Sequence, residues 1–268
     1  MNKTIYGNYC REFTKLSLWY ARKRILEGQS DFENALNERV NIFRHTSLMY
    51  GGKHPTKDDI PEWNAILADL EKVFDAHIND EDTAKLEDKG LAVLLPILEA
   101  KIDRFKLGRT EPRPYEAWTC DVWKNHVNIH IANTYLPESP LSEKRTEFAA
   151  ALIRLLEDTQ QSNPEVDTVS CGSWLNSVPT FLELFTEQWK RDGKAGRNVR
   201  YTLGHWGQFT DRRGDFHARN GARFRDTGGF PYPALGCNDL IEAVLAHLRI
   251  TFPKSVEHNH STHGRSLI

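Results

Sequence analysis

The segment Val169–Leu175, VSCGSWL, sets a cysteine, a glycine, a serine and a tryptophan in succession at the end of an apolar run. With that run as a strand and Ser173 opening a helix, Cys171 lies beside backbone N–H groups at a helix start. Such groups stabilise a thiolate and hold an oxyanion or a phosphate, which makes Cys171 a candidate nucleophile and Gly172, Ser173 and Trp174 candidate substrate contacts. The same residues also read as a small buried hydrophobe followed by a turn and a cap.

Tyr201–Phe224, YTLGHWGQFTDRRGDFHARNGARF, is the other unusual stretch. His205 and His217 are its general acid or base candidates, because an imidazole titrates near neutral pH. Arg212, Arg213, Arg219, Arg223 and Arg225 crowd together, and on a helix from Phe216 the pair Arg219 and Arg223 lies one turn apart. Guanidinium groups grip carboxylate or phosphate with two parallel bonds, so an anionic substrate or a cofactor pyrophosphate is one reading. A surface network with Asp211, Asp215 and Asp226 is the other. Gln208 and Asn220 add polar contacts, while Trp174 and Trp206 either wall a pocket or anchor the core.

His126 and His130 share one face of the alternating stretch VNIHI, and with His205 and His217 they would suit a transition metal. No carboxylate stands among the strand histidines in sequence and no HExxH pattern occurs, so no metal ligands are assigned. The tail histidines His258, His260 and His263 receive no role.

The elements that must position these groups are set by periodicity. Residues 1–110 read as a helical domain, with helices from Phe32 to Met49, from Pro61, and after Asp82, where Pro96 should kink or divide the chain. Gly108–Tyr115, with two prolines, reads as a linker. Residues 116–252 are expected to form a mixed-sheet α/β domain carrying the site, with α+β as the variant. There, a strand at Val127–Ile131, a helix at Ser142–Gln161 and a strand at Val166–Cys171 make a parallel crossover. Next come a helix from Pro179 through Trp189, a third strand at Val199–Phe209, a short helix at Phe216–Arg225 and a last helix capped by Asn238. Residues 253–268 read as a disordered tail.

Composition limits the function classes. Hydrophobic residues make up 39% of 268 residues, enough for a sizeable core. A formal net charge of -2 recruits neither nucleic acid nor an anionic membrane. No apolar run approaches the length of a bilayer span and the first residues lack a signal-peptide core, so a cytoplasmic protein is expected. Four dispersed cysteines without a CxxC pair are expected to be reduced thiols.

The segments IHIANTYLPESP, VDTVSCGSWLNSVPTFLELF and HWGQFTDRRGDFHARNGARFRDTGGFPYP resemble a bacterial protein family without an assigned function. Over residues 125–185, the order strand, helix, strand and SWL turn also resembles acyltransferase domains of the GNAT class. That resemblance implies acyl transfer with acyl-coenzyme A as the cofactor, although the Gln/Arg-x-x-Gly-x-Gly/Ala pyrophosphate loop has no counterpart and no catalytic residue transfers. The leading expectation is therefore an enzyme acting on a small anionic metabolite. His205 or His217 would deprotonate an amine, N–H groups near Gly172 would polarise a carbonyl, and arginines would fix the acceptor. A non-catalytic metabolite-sensing or scaffolding protein, and a hydrolase or transferase using Cys171, are the alternatives; the oligomeric state is left open.

Overall fold

The computed structural model describes residues 2–105 and 113–253. Helix Lys3–Leu26 (α1) starts at Asn2, whose side chain accepts the Ile5 N–H. The short helix Phe32–Asn34 (α2) runs into a π-helical turn at Ala35–Arg39 and a 3-10 turn at Phe43–His45. Pro61–His77 (α3) has its proline at the start, where no N–H is missed, and Asp82 caps Thr83–Asp103 (α4). Beyond these come strands Trp118–Trp123 (β1) and His126–Ile131 (β2), helix Arg145–Ser162 (α5) and strand Thr168–Ser173 (β3). Short helices Pro179–Leu182 (α6) and Glu187–Arg191 (α7) precede the two-residue strand Lys194–Ala195 (β4). Helices Leu203–Trp206 (α8) and Ala218–Thr227 (α9), strand Leu235–Leu240 (β5) and helix Ile241–Thr251 (α10) complete the described chain.

The strands form one mixed sheet in the order β1-β2-β3-β5-β4. β2 and β3 pair in parallel across the α5 crossover and the other pairings are antiparallel, so the fold is α/β with a helical N-terminal region. Two compact units divide the chain: Met1–Gly108 with Arg197–Pro231, and Arg109–Gly196 with Tyr232–Ile268. Arg197–Pro231, expected within the C-terminal domain, thus packs with the helical unit. The physical reason is an aromatic cluster in which Trp206 and Phe224 meet Tyr20 of α1 at ring separations of 5.5 and 5.0 Å, and Trp206 meets Phe13 at 5.5 Å. Within that unit α1 and α4 approach closely at Gly90, where an added Cβ would stand 2.8 Å from Leu18 Cδ1.

In the sheet-bearing unit, Val127, Ile129, Val169, Cys171 and Cys237 share one core with Phe148, Leu152 and Leu156 of α5 and Val244 and Leu248 of α10. The inward residues alternate along β2 and β3, as a strand with one buried face requires.

Several expected elements take other forms. Val199–Phe209 is not a strand: Trp206 and Phe209 are both buried, a three-residue spacing that a helical turn satisfies and a strand does not, and the segment folds as α8 and a 3-10 turn. Asn238 is no helix cap, because β5 continues through it with Cys237 and Asp239 turned inward, and the helix begins at Ile241. The helix from Pro179 stops at Leu182 and restarts at Glu187 with Thr186 as cap. α4 is a single helix with Pro96 inside it. The stretch from Phe32 to Met49 holds only short turns, and α5 starts at Arg145. Most of the expected linker and the expected disordered tail fall outside the described residues.

Candidate functional site

The loop from Thr210 to Phe216 is closed by a β-bridge between those two residues. Asp211 builds its interior: one carboxylate oxygen accepts the N–H groups of Arg213 at 2.7 Å and Asp215 at 2.9 Å. Gly214, at φ 85°, supplies the left-handed turn residue. Asp215 accepts from its neighbour Phe216 N–H at 2.7 Å and from Asn8 Nδ2 of α1, also at 2.7 Å. The two aspartates therefore shape the loop, and the second oxygen of Asp211 pairs with the Arg213 guanidinium at 3.4 Å.

This folding turns Asp211, Arg212, Arg213, Phe216, His217, Ala218 and Arg219 toward one solvent-open cavity of about 660 Å³. His217 caps α9, its Nδ1 accepting the Asn220 N–H at 3.3 Å. With Nδ1 engaged as an acceptor, the neutral ring carries its proton on Nε2, so it donates rather than takes a proton there. Arg212, Arg213 and Arg219 are exposed. Donors of this kind bind carboxylate or phosphate oxygens.

The remaining candidates of the arginine stretch have structural posts. Trp206 is buried and its Nε1–H donates to the Arg39 carbonyl at 2.9 Å. Gln208 is 1% exposed, with Nε2 donating to the His205 carbonyl at 2.8 Å. Asn220 Nδ2 donates to the Gln208 carbonyl at 2.7 Å. Arg225 leaves the arginine group altogether by pairing with Glu87, and Arg223 is exposed on α9 outside the cavity lining. His205 has a buried Nδ1 without a partner among the described residues, and burial with help from Arg200 pulls its imidazole down to about 4. A base that weak is poorly matched to work at neutral pH.

No protein-family model, no curated protein and no solved structure matches the chain.

Cys171, Gly172, Ser173 and Trp174 belong to the other compact unit. Cys171 is 2% exposed and faces Cys237 across the β3–β5 pairing. Burial, with the neighbouring Cys237, pushes its thiol up to about 12, the opposite of what an activated nucleophile needs. Gly172 lies within the strand ladder opposite Gly236, not at a helix start. After β3 the chain makes a 3-10 turn, Trp174–Ser177, whose Leu175 N–H is already taken by Ser173 Oγ at 3.2 Å. Trp174 packs 5.8 Å from the Tyr232 ring.

The strand histidines do share a face, and they gain a carboxylate that spacing did not reveal. His130 Nε2 lies 2.8 Å from Asp121 Oδ2 of β1, and His126 Nε2 lies 2.5 Å from Ser170 Oγ of β3. Ser170 Oγ in turn donates to Asn128 Oδ1 at 3.2 Å. These bonds account for the row as a cross-strand network. Among the described residues no three His, Cys, Asp or Glu side chains come together as a metal-ligand group. Nor is any described helix long and apolar enough to cross a membrane.

Proposed function

We propose that the protein binds a small phosphate- or carboxylate-bearing metabolite at the Asp211–Arg219 loop, and that it acts as a binding protein rather than as a catalyst. The observation that carries this reading is the convergence of Arg212, Arg213, Arg219 and His217 on one cavity large enough for a metabolite. Every one of these groups is a donor, and the loop's own aspartates are largely occupied by backbone N–H groups.

The acyl-transfer reading needs a general base and carbonyl-polarising N–H groups in one place. Gly172 lies within the strand ladder rather than at a helix start, and neither histidine offers a free basic nitrogen in a suitable state. Binding makes fewer demands and uses only groups that already share a cavity.

Isothermal titration of the protein against phosphorylated and dicarboxylate metabolites, with acyl-coenzyme A included, tests this. Saturable binding that weakens by about tenfold for each guanidinium removed, in R213A and R219A, is the expected result. Binding unaffected in the double variant would move the site elsewhere. Turnover of an acyl-coenzyme A would return the chain to the enzymes.

A further inference from the structure

A second cavity in the helical unit, of about 10 Å³, is lined by Asn41, Arg44, Met49, His54 and Tyr201 among others. That is room for a single small group. The segment leading into it is the π-helical turn Ala35–Arg39, a wide turn of the kind often found at functional sites.

The chemistry of the cavity is one-sided. Arg44 Nε donates to Asn41 Oδ1 at 3.2 Å, which engages the amide oxygen and leaves the NH2 group as the donor still to be satisfied. Asn41 is 2% exposed, and its Nδ2 has no hydrogen-bond partner among the described residues. Buried donors are almost always paired, so an orphan of this kind calls for an acceptor. Arg44 makes no ion pair among the described residues, and burial lowers its pKa from the ordinary value. Arg44 and Lys101 both press positive charge on the neighbouring buried His45. The carboxylates acting in this region, Glu38 and Asp58, act on His54, whose ring stacks on Tyr201 at 3.6 Å and whose Nδ1 is committed to Thr56 at 2.7 Å.

We propose that this cavity is a binding site for a single monoatomic anion of about chloride size, held by Asn41 Nδ2 and the Arg44 guanidinium beside the His54–Tyr201 stack. The volume excludes a phosphate or a larger metabolite. Water is the competing occupant: it too would accept from the Asn41 NH2 group, but it brings no negative charge to Arg44. An anion supplies the missing acceptor and the missing countercharge together.

The test is the thermal midpoint of the full chain in sodium chloride against sodium gluconate at constant ionic strength. Chloride should raise Tm saturably by about 2–4 °C, and bromide should do the same. N41D, which places a carboxylate oxygen where the orphan donor stands, should lose the dependence, because the protein then carries its own countercharge. The loop variant R213A/R219A should keep it, which separates this site from the arginine loop. Crystals soaked in bromide should give an anomalous peak between Asn41 and Arg44. Equal midpoints in chloride and gluconate, dependence surviving in N41D or vanishing in the loop variant, or water alone at that position would each overturn the proposal.

Discussion

Arg225 and Glu87 form a two-pronged ion pair, with Nη1 and Nη2 each donating at 2.7 Å to a separate carboxylate oxygen. Glu87 is 6% exposed on α4 and Arg225 comes from α9, so the pair ties a late segment of the chain to an early helix. The same guanidinium lies 5.5 Å from the centre of the Trp19 ring. Fork geometry, desolvation of the acid and the aromatic face set this pair apart from the exposed bridges on the surface.

Replacing Arg225 with alanine leaves a buried carboxylate without its partner. The expected loss is about 3 kcal/mol in urea denaturation. Because the two residues act as one unit, the E87A/R225A double variant should lose less than the sum of the single variants; strict additivity would show that the pair contributes nothing beyond packing.

Acid should weaken the helical unit through its buried histidines. His205 is held down to about 4, and His45 is held down to about 3 by burial together with Arg44 and Lys101. In the unfolded chain a histidine titrates near about 6.5, so below that pH the unfolded state takes up protons that the folded state refuses. Stability is therefore full above about pH 6.5 and falls as pH drops toward about 4. Guanidinium denaturation between pH 7 and 5 should show this fall, less steeply in H205L. Identical slopes would free His205 of any part in it.

Cys171 should behave as a packed thiol. A selective thiol reagent is expected to label Cys120, which is only half-buried, well before Cys171. Mass-spectrometric mapping after brief labelling decides the point, and rapid modification of Cys171 would restore it as a nucleophile.

Gly221 holds the arginine loop in place from below. An added Cβ there would stand 2.5 Å from Cζ of Phe216, a ring that lines the arginine cavity. G221A should displace that ring and weaken metabolite binding more than it lowers Tm. Calorimetry with the ligand found for the wild type measures the first and a thermal melt the second. Unchanged affinity would mean that the loop does not depend on this contact.

The legible elements are the periodic ones. VNIHI alternates, α5 carries Phe148, Leu152, Leu155 and Leu156 on one stripe, and their order dictated a parallel crossover. The segment WTCDVW alternates as well, Trp118, Cys120 and Val122 against Thr119 and Asp121, but it is not among the strands expected from sequence; the alternation does not show its partner, and it is the pairing with β2 that brings Asp121 to His130. The arginine crowd was visible as composition, whereas its division was not: Arg225 leaves it because Glu87, 138 residues away, provides a buried partner. Gly221 is the one further site residue that carried a sequence signal, a glycine standing inside a helical pattern. Asn41 and Arg44 carried none, because a missing hydrogen bond is a property of the packed chain.

The ownership of Arg197–Pro231 by the helical unit bears on how the protein is made. On the ribosome, α1, α3 and α4 emerge early, but Trp206, Phe209 and Phe224, which complete their core, arrive only after the first four strands have been synthesised. The helical unit is thus assembled from both sides of an interruption and reaches its native packing only after the first four strands of the sheet have been made. A fragment ending at residue 108 should expose that aromatic hollow, bind hydrophobic dyes and fall prey to proteases.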